Sequence, residues 1–180
     1  MSRKPAPPTY FVFDVESIGL YGEGFAVGFV VVDLEGNVQS VGFHGTDPAN
    51  ADGAPTDRSW VSEHVLPAVR HRQMTCENPS EVRSRFFDDM RKALRAGAQL
   101  WGDAVYPVES TFLRLTLEER LGGKLDAASS PVLRDVAPVA LLLGIEDAPS
   151  RVPHDPVEDA RASAATLLCA VSAIRAMGGG

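Results

Sequence analysis

The chain has 180 residues, 44 % of them apolar and 23 % charged, which suits one globular domain and excludes a disordered or fibrous protein. Acidic side chains outnumber basic ones by 24 to 17, and the net charge of −7 argues against a generic basic nucleic-acid binder that grips phosphates through lysines and arginines. Cys76 and Cys169 supply neither a disulfide framework nor a zinc spacing. No run reads as long and apolar enough to cross a bilayer, and the N-terminus lacks a signal-peptide layout. A cytoplasmic protein without a membrane partner is therefore expected.

In chain order, residues 1–8 are polar and proline-rich and read as a loose arm, residues 9–177 as one domain, and residues 178–180 as a frayed end. Tyr10 to Glu16 is aromatic and β-branched, which predicts a strand ending in acids. A glycine-rich turn over residues 17–24 leads to Phe25–Val32, an apolar run suited to a central strand. Turn residues at 34–37 precede a third strand over Val38–His44, so the domain opens with an antiparallel meander. Residues 46–57 carry Asp, Pro, Ala and Gly and predict a loop, followed by a short helix over Trp60–Val69.

A clearer helix follows, capped by Asn78 or Ser80, with Pro79 in its first turn and Gly97 just past its end. Val82, Phe86, Met90, Ala93 and Leu94 fall on one of its faces. Ala98–Trp101 predicts a buried strand, Pro107–Leu121 a helix stopped by Gly122 and Gly123, Val132–Val136 a last strand and Pro138–Leu143 a short helix. The final helix is expected over Pro156–Met177, with Val157, Ala160, Ala164, Leu167, Leu168, Val171 and Ile174 inward. Asp155 would cap it, with Glu158 where a capping-box glutamate belongs. These elements predict an α/β fold: one five-stranded mixed sheet flanked by helices.

Three acidic stations stand out. Asp14 and Glu16 lie at i and i+2 of a strand, so both carboxylates point to one face. Like charges that close repel, and a hard divalent cation between them removes the penalty. His154 stands just before the last helix and Asp159 in its second turn, so the two can flank one site. Asp103 at a strand end and Glu109 at a helix start form the third station, where the helix dipole alone also favours acids.

Phe13-Asp14-Val15-Glu16-Ser17-Ile18-Gly19-Leu20 resembles the first motif of the DEDD exonuclease superfamily, Asp-x-Glu-Thr/Ser-x-Gly-Leu. His154-Asp155-Pro156-Val157-Glu158-Asp159-Ala160 resembles the third motif of its His-containing branch, DEDDh, which includes proofreading exonucleases, ribonuclease T and oligoribonuclease. The middle motif departs: Glu109-Ser110-Thr111-Phe112-Leu113 fits its tail with Glu for Asp, and Asp103 is the alternative ligand. The resemblance implies a ribonuclease-H-like fold and a 3′→5′ exonuclease acting on DNA or RNA with a free 3′ end. It implies two Mg²⁺ or Mn²⁺ ions held by Asp14, Glu16, Asp159 and Glu109 or Asp103. It further implies His154 as general base, and Ser17, the Gly19 backbone and Leu20 as the grip on the terminal nucleotide, with nucleoside 5′-monophosphate as product. Several members dimerise, so the resemblance allows a homodimer. The alternative is a module on the same scaffold that binds nucleic acid or a protein partner without cutting. Phe112 and Trp101 are expected to pack in the core rather than to stack on bases.

Overall fold

The computed structural model describes residues 8–122 and 131–178. Residues 1–7 of the arm expected over residues 1–8, Gly123 and residues 179–180 lie outside the described residues. Strands β1 (Thr9–Ser17), β2 (Gly24–Asp33) and β3 (Val38–Gly45) form the expected antiparallel meander. β4 (Gln99–Gly102) and β5 (Leu133–Asp135) add to the other edge in parallel, giving the order β3-β2-β1-β4-β5. The fold is thus α/β with a five-stranded mixed sheet between helices.

Alternation along β1 divides its side chains between two cores. Phe11, Phe13 and Val15 face α3 (Pro79–Arg95) and α4 (Val108–Leu121), meeting Phe29, Phe86 and Phe112 in a dry aromatic cluster. Phe11 stacks on Phe29 with ring centres 4.7 Å apart, and Phe86 packs against Phe11, Phe13 and Phe112. Phe112 is buried in this core, and Trp101 packs beside Tyr10 on the opposite face, so both serve packing as expected. The Asn78 side chain, rather than Ser80, caps α3 by accepting from the Glu81 N–H.

Tyr10 and Val12 face α5 (Val136–Leu143) and α6 (Pro156–Gly178). Asp14 and Glu16 follow them on that same face, and there the apolar stripe of β1 ends. The close approach of α6 depends on Gly28, which pairs with Asp14. A Cβ on Gly28 would lie 2.3 Å from the backbone of Pro156 and Val157, so only glycine lets the start of α6 settle onto the sheet.

Four expectations need correction. The loop predicted over residues 46–57 contains a 3₁₀ turn (Pro48–Asn50), and its end already belongs to α1 (Pro55–Trp60). Pro55 supplies a preset φ at the first helical position. α1 continues through a π-helical turn (Val61–Val65) into α2 (Leu66–Val69), which packs on Ile18, Phe25 and Ala26. Ile174 is half-exposed, because Leu168 already lies against Gly36 at the end of the β2–β3 turn and the helix runs on past the sheet. Glu158 closes no capping box: the Asp155 N–H is taken by the Val152 carbonyl, and Glu158 turns to Arg161 instead. Finally, α6 is long and apolar enough to span a bilayer by length and composition. Ala160, Ala164 and Leu167 are buried against Tyr10, Val12, Val30, Val32 and Val136, so this face of α6 packs into the core.

Candidate metal centre

The acids come together where the C-terminal end of β1 meets the start of α6. Asp14, Glu16 and Asp159 each present a carboxylate oxygen within 4.8 Å of the other two. At that distance two ionised carboxylates repel by about 3 kcal/mol even at an effective dielectric of about 20. Among the described residues, no lysine or arginine pairs with any of the three; the His154 imidazole lies beside them, with Nδ1 4.0 Å from Glu16 Oε1. Burial, reinforced by Asp159 and Glu109, pushes the Glu16 carboxyl up to about 8. Asp14 is raised well above the ordinary range by burial and then by Glu16, Glu109, Asp159 and Asp103. Asp159 is raised by burial, which outweighs the lowering from the Ser150 hydroxyl and the His154 N–H.

Both rivals for the third station lie near Asp14, and they differ in surroundings. Glu109, in the first turn of α4, is buried to 5 % exposure, and burial pushes it up to about 7 against the stabilising backbone N–H groups of Glu109 and Val15. Asp103, just beyond β4, is raised by burial, by Asp147 and Asp135, and by Asp159 of the triad. Glu109 exerts the larger repulsion on Asp14 and also reaches Glu16.

No protein-family model matches this chain, and no curated protein matches it. What this centre can do therefore follows from its own chemistry. Its donors are carboxylate oxygens with no thiolate among them, the hard set that suits oxygen-bound divalent cations as a class. Mutually repelling acids, Glu16 buried and Asp14 and Asp159 half-buried, with no lysine or arginine partner among the described residues, could hold a divalent cation, which would relieve the repulsion.

Two cavities meet the triad. One, of 210 Å³, is lined by Asp14, Asp103, Asp147, Ser150, Asp159 and Ser163. The other, of 360 Å³, joins Glu16 to Ser17, Gly19, Leu20, Asp57 and Trp60, and is large enough for a small ligand. Ser17, Gly19 and Leu20 thus share one cleft beside Glu16. Ser17 Oγ donates to the Gly19 carbonyl at 2.6 Å, stiffening the turn. Gly19 has φ +70°, and a Cβ there would strike the Asp57 carboxylate. Leu20 stands 62 % exposed at the rim.

His154 has φ +67°, the one non-glycine residue in the left-handed region among the described residues. That conformation costs about 1–2 kcal/mol for an L-residue and is held by its surroundings. The His154 N–H donates to Asp159 Oδ2 at 2.9 Å, which accounts for the five-residue offset between them. Its ring stands perpendicular to that of Trp60 with centres 5.2 Å apart, and Trp60 in turn stacks on His64.

Sequence reasoning missed Trp60, Asp57 and Asp147. Trp60 ends a helix whose start was hidden in a turn-rich stretch, and Asp147 stands in a loop with no periodicity to orient it. Asp155 was assigned only a cap, and the structure confirms that role: its Oδ1 accepts from the Val157 and Glu158 N–H groups. It also grips Arg72. That long-range pair has no local signature.

Proposed function

We propose that this protein is a metal-dependent 3′→5′ exonuclease of ribonuclease-H-like fold and DEDDh type, releasing nucleoside 5′-monophosphates from DNA or RNA. The observation that carries the reading is the convergence of Asp14 and Glu16 with Asp159 within 4.8 Å, beside a histidine, from two motifs at opposite ends of the chain. The sheet order, an antiparallel meander extended by two parallel strands, supports the fold assignment.

Asp14, Glu16 and Asp159 would hold the metal, with Glu109 as the fourth carboxylate and Asp103 as its rival. When bound, a pair of Mg²⁺ or Mn²⁺ ions supplies Lewis-acid stabilisation of the attacking and leaving oxygens. His154 takes the proton of the attacking water; its 42 % exposed side chain can return that proton to solvent. Ser17, the Gly19 backbone and Leu20 line the cleft that receives the terminal nucleotide, with Leu20 at its rim to wedge against the base.

The test is digestion of matched 5′-labelled DNA and RNA oligonucleotides with Mg²⁺ or Mn²⁺. A ladder shortening from the 3′ end is expected, absent with EDTA and absent on circular substrate. Intact oligonucleotide in both metals would overturn the reading. Binding of metal and oligonucleotide without shortening would favour a non-cutting module.

A further inference from the structure

The Asp155 side chain has no solvent exposure. A helix cap uses one carboxylate oxygen and works well at the surface, so capping alone does not account for this burial. Arg72 Nε reaches both Asp155 oxygens, at 3.0 and 2.8 Å, and Arg72 Nη2 lies 2.8 Å from Oδ1. His71 Nε2 lies 3.1 Å from Oδ2. The Arg72 guanidinium also covers the Phe43 ring at 5.5 Å. One carboxylate therefore ties the start of α6 to the turn after α2 and to β3.

The segment from Pro55 to Arg72 touches the His154 turn at both of its ends. Trp60 packs perpendicular to the imidazole, and Arg72 clamps the next residue along the backbone. The left-handed His154 is thus flanked by its own N–H bond to Asp159 and by the clamped Asp155. A buried ion pair contributes little net stability but sets a geometry, and a planar guanidinium fork sets it more firmly than an ammonium can.

We infer that Asp155, gripped by Arg72, is a positioning residue that holds the His154 backbone in its left-handed turn and aims the imidazole at the acid cluster. The inference rests on His154 serving as the base. Arg72 touches none of Asp14, Glu16 and Asp159; Asp14 and Glu16 are fixed by β1 and Asp159 by α6, so loss of the clamp leaves those three carboxylates in place while misaiming His154.

The test compares the full chain with Arg72→Met, Arg72→Lys and Asp155→Asn. Two readouts are used: the ¹³C-labelled His154 ring resonances, which sense the Trp60 ring, and steady-state hydrolysis of a chromogenic nucleoside phosphodiester with Mn²⁺. In Arg72→Met the His154 resonances should move toward their random-coil positions. kcat should fall by about 10²-fold, the usual cost of misplacing a reacting group by about an ångström, at unchanged KM and Mn²⁺ affinity. Arg72→Lys should recover part of both. If Arg72→Met fails to fold, Asp155→Asn carries the same readouts, because its amide oxygen still caps α6. Unmoved His154 resonances in the folded variants would overturn the inference, as would a fall in kcat matched by lost Mn²⁺ affinity. A wild type without hydrolysis whose His154 resonances still move in Arg72→Met would sink the nuclease reading and leave the clamp standing.

Discussion

The two faces of the sheet are built from alternate residues of the same strand and follow opposite rules. On one, Phe11, Phe13 and Val15 meet Phe29, Phe86 and Phe112 in an aromatic and aliphatic core. On the other, Tyr10 and Val12 give way to Asp14 and Glu16, and α6 adds Asp159. The first face stabilises the fold through burial, about 1.5–3 kcal/mol for each fully buried large apolar side chain. The second costs stability, because its acids repel one another away from water. The comparison teaches that the aromatic face makes the acidic face tolerable: a rigid strand holds the carboxylates together when they would otherwise move apart.

Substitutions on the two faces should therefore separate activity from stability. The largest effect is expected of Asp14→Ala, which should abolish metal-dependent trimming of a 5′-labelled oligonucleotide. The same variant should raise the metal-free melting temperature at pH 8, since it removes one of the mutually repelling carboxylates. Full activity in it would remove the metal assignment. His154→Ala comes next, slowing turnover by about 10²–10⁴-fold in single-turnover assays. A change in substrate affinity alone would remove its role as base. On the dry face, Phe86→Ala should lower stability by about 3–5 kcal/mol in urea unfolding. Below its melting transition, its Mn²⁺ affinity should match wild type.

A smaller effect is expected of pH. Glu16 is pushed up from 4.5 to about 8 and Glu109 to about 7, so over that window the native state keeps protons that the unfolded chain sheds. Stability of the metal-free protein should fall as pH rises from 4.5 to 8, because the native state binds more protons there. Saturating Mn²⁺ should flatten that slope, which urea titrations with EDTA or Mn²⁺ at several pH values would measure. The smallest effect should distinguish the rivals at the third station. By calorimetry Glu109→Gln should weaken Mn²⁺ binding by more than about tenfold, and Asp103→Asn by less. The reverse order would make Asp103 the ligand.

Much of this architecture was legible in the residues because its signals are local. The aromatic and β-branched runs announced β1 and β2, and Asn78 with Pro79 announced α3. The i, i+2 spacing of Asp14 and Glu16 placed both acids on one face, and the offset between His154 and Asp159 matches a hydrogen bond between them. What escaped depends on partners distant in the chain. The burial of Asp155 needs Arg72, and the place of Trp60 needs a helix beginning at Pro55 inside a stretch with turn composition. Ile174 obeys the helical period yet is half-exposed, because periodicity does not say where the sheet beneath a helix ends.

The most direct measurement is anomalous diffraction at the manganese edge from crystals grown in Mn²⁺. Manganese peaks bounded by Asp14, Glu16 and Asp159 are the predicted result. A map without density among those carboxylates, or with their side chains turned apart, would contradict the account.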